Sequence, residues 1–249
     1  MRTPTPPARQ RAHSPESPAS DRILIIGAGH SGSRAARILV RRSLAPLWIV
    51  DSDIERLKKL KAPRLERILW EGADFLVTHF RRLAPSTIIV PAIPVHLAFE
   101  WLKRFLDHDF LITRGSVPDG IEQQVPHSWA GQEGSTLISY ADFRCPDDCP
   151  EPADHCTLTG KRREAPLYEL LSRVELPGHR VHVLRSRQLA PGVGGYLVED
   201  LWMLVNQVTR KPLATWLLGT ACRCHGIVTA VQIRRRTQTE SWRGPKEPS

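Results

Sequence analysis

Four apolar residues in a row, Ile23-Leu24-Ile25-Ile26, follow a polar N-terminal stretch. A short continuous apolar run reads as a strand covered on both faces of its sheet. The spacing then turns helical over 31–42, and a second apolar run, Leu47 to Val50, predicts a strand over 47–51. Asp53 is placed to cap a short helix over 54–61, with Leu57 and Leu60 facing inward. Residues 65–70 predict a third strand. A helix opens at Gly72-Ala73-Asp74 and carries Phe75, Leu76 and Phe80. The β-branched run 87–90 predicts a fourth strand. After the Pro91–Pro94 turn, 95–106 is amphipathic and helical, with Leu97, Trp101 and Phe105 at spacing four. Alternating strands and helices predict an α/β fold with a Rossmann-type parallel sheet over 21–115.

The second half is less regular. Residues 135–143 predict a strand and 166–172 a helix that Pro166 starts. A strand over 181–184 continues through Arg185-Ser186-Arg187, and 190–195 reads as a flexible turn. A helix over 198–208 carries the stripe Leu201, Leu204, Val205 and Val208, and strands follow over 215–218 and 227–233. This predicts a smaller, mixed α/β, cysteine-containing lobe over 116–233. The tails, 1–20 and 234–249, are polar and Pro-rich or basic, and are expected to be disordered.

At 249 residues and 41% hydrophobic, the chain can hold one large domain or two small ones around a real core. No apolar run reaches the ~20 residues of a membrane span. The N-terminus lacks the apolar segment of a signal peptide, so a cytoplasmic protein is expected. The net charge of +9 sits largely in the tails: 1–20 carry three Arg and one Glu, and 234–249 carry five Lys or Arg and two Glu. Nucleic acid is therefore not an expected partner. A small anionic ligand is, with a second copy of the chain or a transporter as the macromolecular alternatives.

The chemistry begins at Gly27-Ala28-Gly29-His30-Ser31-Gly32, between the first strand and the first helix. Gly27 suits the tight turn, Gly29 the approach of a pyrophosphate, and Gly32 the packing of helix on strand. The helix N-terminus offers free N–H groups and the positive end of a dipole. Asp51, 19 residues past Gly32, stands where a carboxylate takes ribose hydroxyls, which favours NAD over NADP. Asp74 and the Pro91–Pro94 loop are expected to border the same crevice, with His96 a substrate candidate or a structural hydrogen-bonder.

These residues resemble the nucleotide-binding domains of potassium-transport regulators, the RCK or TrkA-N domains. They also resemble the N-terminal part of saccharopine-dehydrogenase-like oxidoreductases. The likeness covers about 85 residues. It implies that Gly27, Gly29, Gly32 and Asp51 bind NAD. The Gly-Asp pair that these families carry after the third strand is Gly72-Ala73-Asp74 here. The second half is unlike an RCK ligand-binding lobe.

All five cysteines lie in that half, as Cys145, Cys149 and Cys156, then Cys222 and Cys224. An odd number in an unsecreted chain argues against a disulfide framework. Two turn-like stretches carrying thiols predict one thiolate site, since soft thiolates select zinc or an iron–sulfur cluster. The alternatives are a redox pair or inert cysteines. His155 and His225 are reserve ligands. Arg185 and Arg187, two apart, form a candidate anion site beside a Gly192–Gly195 nest, or else a solvent-facing strand edge. Lys161-Arg162-Arg163 reads as a solvated face. Two functions follow: an NAD-dependent oxidoreductase acting on a small anionic substrate, or a non-catalytic regulator sensing NAD(H) or redox state.

Overall fold

The computed structural model describes residues 22–237; the expected disorder of 1–20 and of 238–249 lies outside them. The fold is α/β, with two mixed six-stranded sheets. The first half follows the apolar pattern: β1 (Ile23–Ile26), α1 (His30–Arg42), β2 (Leu47–Asp51), α2 (Ile54–Lys58), β3 (Leu65–Leu69), α3 (Gly72–His79), β4 (Ile88–Pro91) and α4 (Leu97–Phe105). The Asp53 carboxylate accepts from the N–H groups of Glu55 and Arg56, which caps α2 as expected. Strands β3, β2, β1 and β4 lie parallel in that order. Every residue of β1 is buried, because α-helices cover both of its faces.

The chain then changes sheet. It continues through β5 (Phe110–Gly115), β6 (His127–Ala130), β7 (Thr136–Ser139), α5 (Leu167–Ser172) and β8 (His179–Arg185). After these come β9 (Arg187–Ala190), β10 (Val193–Leu197), α6 (Val198–Arg210), β11 (Thr215–Ala221) and β12 (His225–Arg235). Residues 110–115, placed in the first domain by the sequence, pair antiparallel with β12 in the second sheet. Conversely, the stretch expected as a flexible turn over 190–195 is the tip of the β9–β10 hairpin. That hairpin joins the first sheet antiparallel to β4. The first sheet is therefore mixed, not purely parallel.

The hairpin fits there because Gly195 has no side chain. A Cβ at Gly195 would sit 2.7 Å from the Ile89 carbonyl oxygen. One apolar core spans both sheets: Leu24, Ile26, Ile89 and Trp101 pack with Tyr196, Leu201, Trp216 and Val231. Each aliphatic side chain among these contributes roughly 1.5–3 kcal/mol on burial. Strand β12 runs to Arg235, so Arg234 and Arg235 belong to the sheet and not to a disordered tail. Among the described residues no helix is long and apolar enough to cross a membrane.

Candidate functional site

The glycine-rich turn leaves β1 with Gly27 at φ +102°, a conformation only glycine adopts without strain. A Cβ at Gly32 would lie 1.8 Å from the Gly27 carbonyl oxygen, so the first turn of α1 sits directly on the loop. Gly29 differs: a Cβ there would meet nothing within 4 Å. The turn is closely packed beneath and open above. His30 and Ser31 are exposed on its open side. Asp51 is buried and turned inward. Its Oδ2 accepts the Ala28 N–H at 2.6 Å and its Oδ1 the Asp53 N–H at 2.7 Å. It thus ties the turn to the end of β2.

The two cysteine stretches come together over this turn. Cys222 and Cys224 occupy the β11–β12 connection. The carbonyls of Cys222, Arg223 and Cys224 accept N–H groups from Tyr168, Leu167 and Tyr140. The Glu151 carboxylate accepts the Arg223 N–H, which draws the first cysteine loop onto that connection. From the other side, the Cys149 carbonyl accepts the Gly192 N–H and the Gln188 side-chain amide, both at 3.0 Å. Residues 154–163 fold back on themselves, with a bridge between His155 and Arg162. The His225 ring lies between Cys145 Sγ, 3.3 Å from Nε2, and Cys222 Sγ, 3.9 Å from Nδ1.

Two cavities result. One, of about 260 Å³, is lined by His30, Ser31 and Arg34 of α1 together with Cys145, Cys149 and Cys222. His30 Nε2 meets Asp147 Oδ2 across it at 2.9 Å, and this bond holds the Asp147 carboxyl below the usual carboxylate range. The other cavity, of about 190 Å³, is lined by Cys145, Cys149, Cys156 and Cys224 with Arg163. Burial pushes the thiols of Cys145 and Cys222 up, and that of Cys224 up to about 11. Hydrogen bonding from the Thr159 side chain instead draws the Cys156 thiol down. All five cysteines are free. Among the described residues, no three His, Cys, Asp or Glu side chains converge on one point as the ligands of a single ion would.

Several expected site residues lie elsewhere. His96 does not face the crevice. It is buried between the sheets, with Nδ1 and Nε2 each 2.9 Å from a threonine hydroxyl, Thr229 and Thr220. Burial, then the Arg114 charge, holds its pKa down at about 3, so it is neutral. Arg185 and Arg187 do not share a face, because Ser186 separates β8 of the second sheet from β9 of the first. The Arg185 guanidinium lies over the Tyr168 ring, and Arg187 makes a forked pair with buried Asp200 at 2.5 and 3.2 Å. The 192–195 stretch belongs to the β9–β10 hairpin, and the Gly192 N–H is given to the Cys149 carbonyl. Asp74 pairs with Arg104 at 3.2 Å and lines neither cavity. Arg163, expected on a solvated face, is buried. Asp147 and Arg34 were missed, since neither belongs to a motif and only the fold brings them to the turn.

These features define an α/β protein whose glycine-rich turn and thiols border a common cavity. The comparisons then place the chain. A family model described as "Uncharacterized protein, C-terminal domain" matches residues 98–234, and the chain belongs to that family. A protein of Archaeoglobus fulgidus, also described as uncharacterized, is 33% identical over 222 residues, covering 84% of this chain and 98% of the relative. The span matched by the family model takes in all five cysteines.

Proposed function

We propose that this protein is an NAD(H)-binding oxidoreductase. Its first four strands act as a Rossmann-type half, and a thiolate-bound metal centre lies beside the nucleotide. The observation that carries this reading is the 260 Å³ cavity, which α1 residues of the glycine-rich turn share with Cys145, Cys149 and Cys222. The strand order β3-β2-β1-β4 supports it, because ligands of open parallel sheets bind beyond the carboxyl ends of the strands. The turn fits a pyrophosphate: it is open at Gly29, rigid at Gly32, and stands at the N-terminus of a 13-residue helix. Asp51, buried beneath the turn, puts a negative charge at the end of β2 that would disfavour a 2′-phosphate above it. When bound, the nucleotide supplies a hydride, that is, two electrons and a proton. The chain's own residues would position it, and the thiolate centre would take or give electrons. The nucleotide is itself the small anionic ligand, since Arg185 and Arg187 are otherwise engaged.

Titration with NADH and NADPH, followed by nicotinamide fluorescence, tests the nucleotide site. The expected result is tighter NADH binding, and its loss in Gly29→Val with the circular dichroism unchanged. Equal affinity for the two would remove Asp51 from the ribose, and no binding of either would overturn the reading. Oxidation of NADH by two equivalents of a one-electron acceptor would mark an enzyme.

A second reading is favoured by the contact between His30 and Asp147. A pyrophosphate at the turn would bring its charge against the Asp147 carboxylate, so nucleotide binding would push the cysteine loop away. That is how a regulator would report NAD(H). It predicts binding without turnover, together with a change in loop proteolysis.

A further inference from the structure

Four of the five cysteines surround one space. Cys145, Cys149, Cys156 and Cys224 line the 190 Å³ cavity, whereas Cys222 lines only the cavity on the nucleotide side. Cys149 and Cys156 act electrostatically on Cys145, and Cys149 and Cys145 act on Cys224, so these thiols are neighbours around that space. We propose that Cys145, Cys149, Cys156 and Cys224 ligate an iron–sulfur cluster in this cavity and that Cys222 is not a ligand. This deepens the metal half of the proposed function and rests on that half alone.

Three observations carry the assignment. First, the thiols enclose a volume. A tetrahedral zinc would need its ligands to meet at a point, with metal–sulfur bonds of about 2.3 Å. A cluster spreads four cysteines around several irons. Second, a buried cation lines the same cavity. Arg163 is 9% exposed, and its Nε has no hydrogen-bond partner. Hydrogen-bond donors and positive charge beside the sulfurs suit a thiolate cluster, whose potential they set. Third, Cys222 stands apart by position: it lines only the other cavity, where its Sγ accepts the N–H groups of Cys224 at 3.4 Å and His225 at 3.3 Å and so shapes the connection that presents Cys224. Because Cys145 and Cys149 line both cavities, a cluster held by them would abut the nucleotide space.

The test is made on the full chain, purified anaerobically and assayed for iron, acid-labile sulfide and zinc. The expected result is iron and sulfide in equal amounts, with broad visible absorbance bleached by dithionite. Cys222→Ser should retain the cluster. Cys145→Ser, Cys149→Ser, Cys156→Ser and Cys224→Ser should each lower iron at least tenfold. Zinc without sulfide would overturn the proposal. So would loss of iron in Cys222→Ser with retention in Cys224→Ser, or no iron after incubation with ferrous iron and sulfide. If the serine variants do not fold, iron-edge X-ray absorption of the wild type decides. Sulfur neighbours alone support the ligand set, and a nitrogen or oxygen neighbour overturns it. NADH titration of the same wild-type preparation keeps the two apart, because nucleotide binding without iron would leave the nucleotide half of the proposed function standing and end the cluster.

Discussion

Gly29 and Gly32 are three residues apart in one motif, yet their surroundings set different tolerances. A methyl at Gly32 meets the Gly27 carbonyl oxygen at 1.8 Å, while one at Gly29 meets open space. Gly32→Ala is expected to destabilise by about 1–3 kcal/mol, since backbone must move to admit it. Gly29→Ala should cost well under that. Denaturant midpoints of the two variants check the contrast. His96 couples stability to pH. The unfolded chain takes up a proton near pH 6.5, while the buried ring titrates at about 3. Its contribution to stability is therefore complete above pH 6.5 and is lost as pH falls toward 3. His96→Gln should flatten the fall in melting temperature between pH 7 and pH 4 relative to wild type. An unchanged slope would mean that another group carries it.

At the scale of elements, the β9–β10 hairpin decides where the first cysteine loop rests. Its tip, Gly192, has φ +67°, and a Cβ there would lie 1.6 Å from the Asp147 carbonyl oxygen. The hairpin also binds the Cys149 carbonyl from two sides, through Gly192 and Gln188. Gly192→Val is expected to release the loop while leaving the sheets in place. Trypsin cleavage after Arg144 should then quicken severalfold, with little change in circular dichroism. If cleavage is unchanged, the hairpin does not hold the loop. The position of Gly27–Gly32 between strand and helix was legible because Gly27 and Gly32 each meet a local backbone requirement. The hairpin was not, because Ala190-Pro191-Gly192-Val193-Gly194-Gly195 lacks the alternation that marks a strand. Its pairing with β4 rests on the close approach that Gly195 permits.

For the whole molecule, the interleaving of the two sheets makes the halves interdependent. The apolar residues of β1, β4 and α4 are covered by Tyr196, Leu201 and Trp216 from the second half. A fragment of residues 21–115 would expose that face, bare the edge of β4 and leave β5 without β12. It should be unfolded or aggregated. Circular dichroism and tryptophan emission of the fragment would show this, and a cooperative melt would contradict it. His96 belongs to the same joint, since its two threonine partners are in the second sheet.

The sequence by itself determined the features that depend on neighbours in the chain. These include the β1–turn–α1 unit, the cap at Asp53, the alternation of strands and helices through α4, and the confinement of thiols to two turns. Each follows from a backbone conformation or a periodicity that a few residues impose. Only the tertiary structure decided which sheet Phe110–Gly115 and the hairpin would join, that Arg187 would be spent on Asp200, and that Cys224 would line the same cavity as Cys145, Cys149 and Cys156. These are contacts between segments 13 to about 120 residues apart. They are won by burial and strand pairing in competition with every other segment, and no local pattern carries the outcome of that competition.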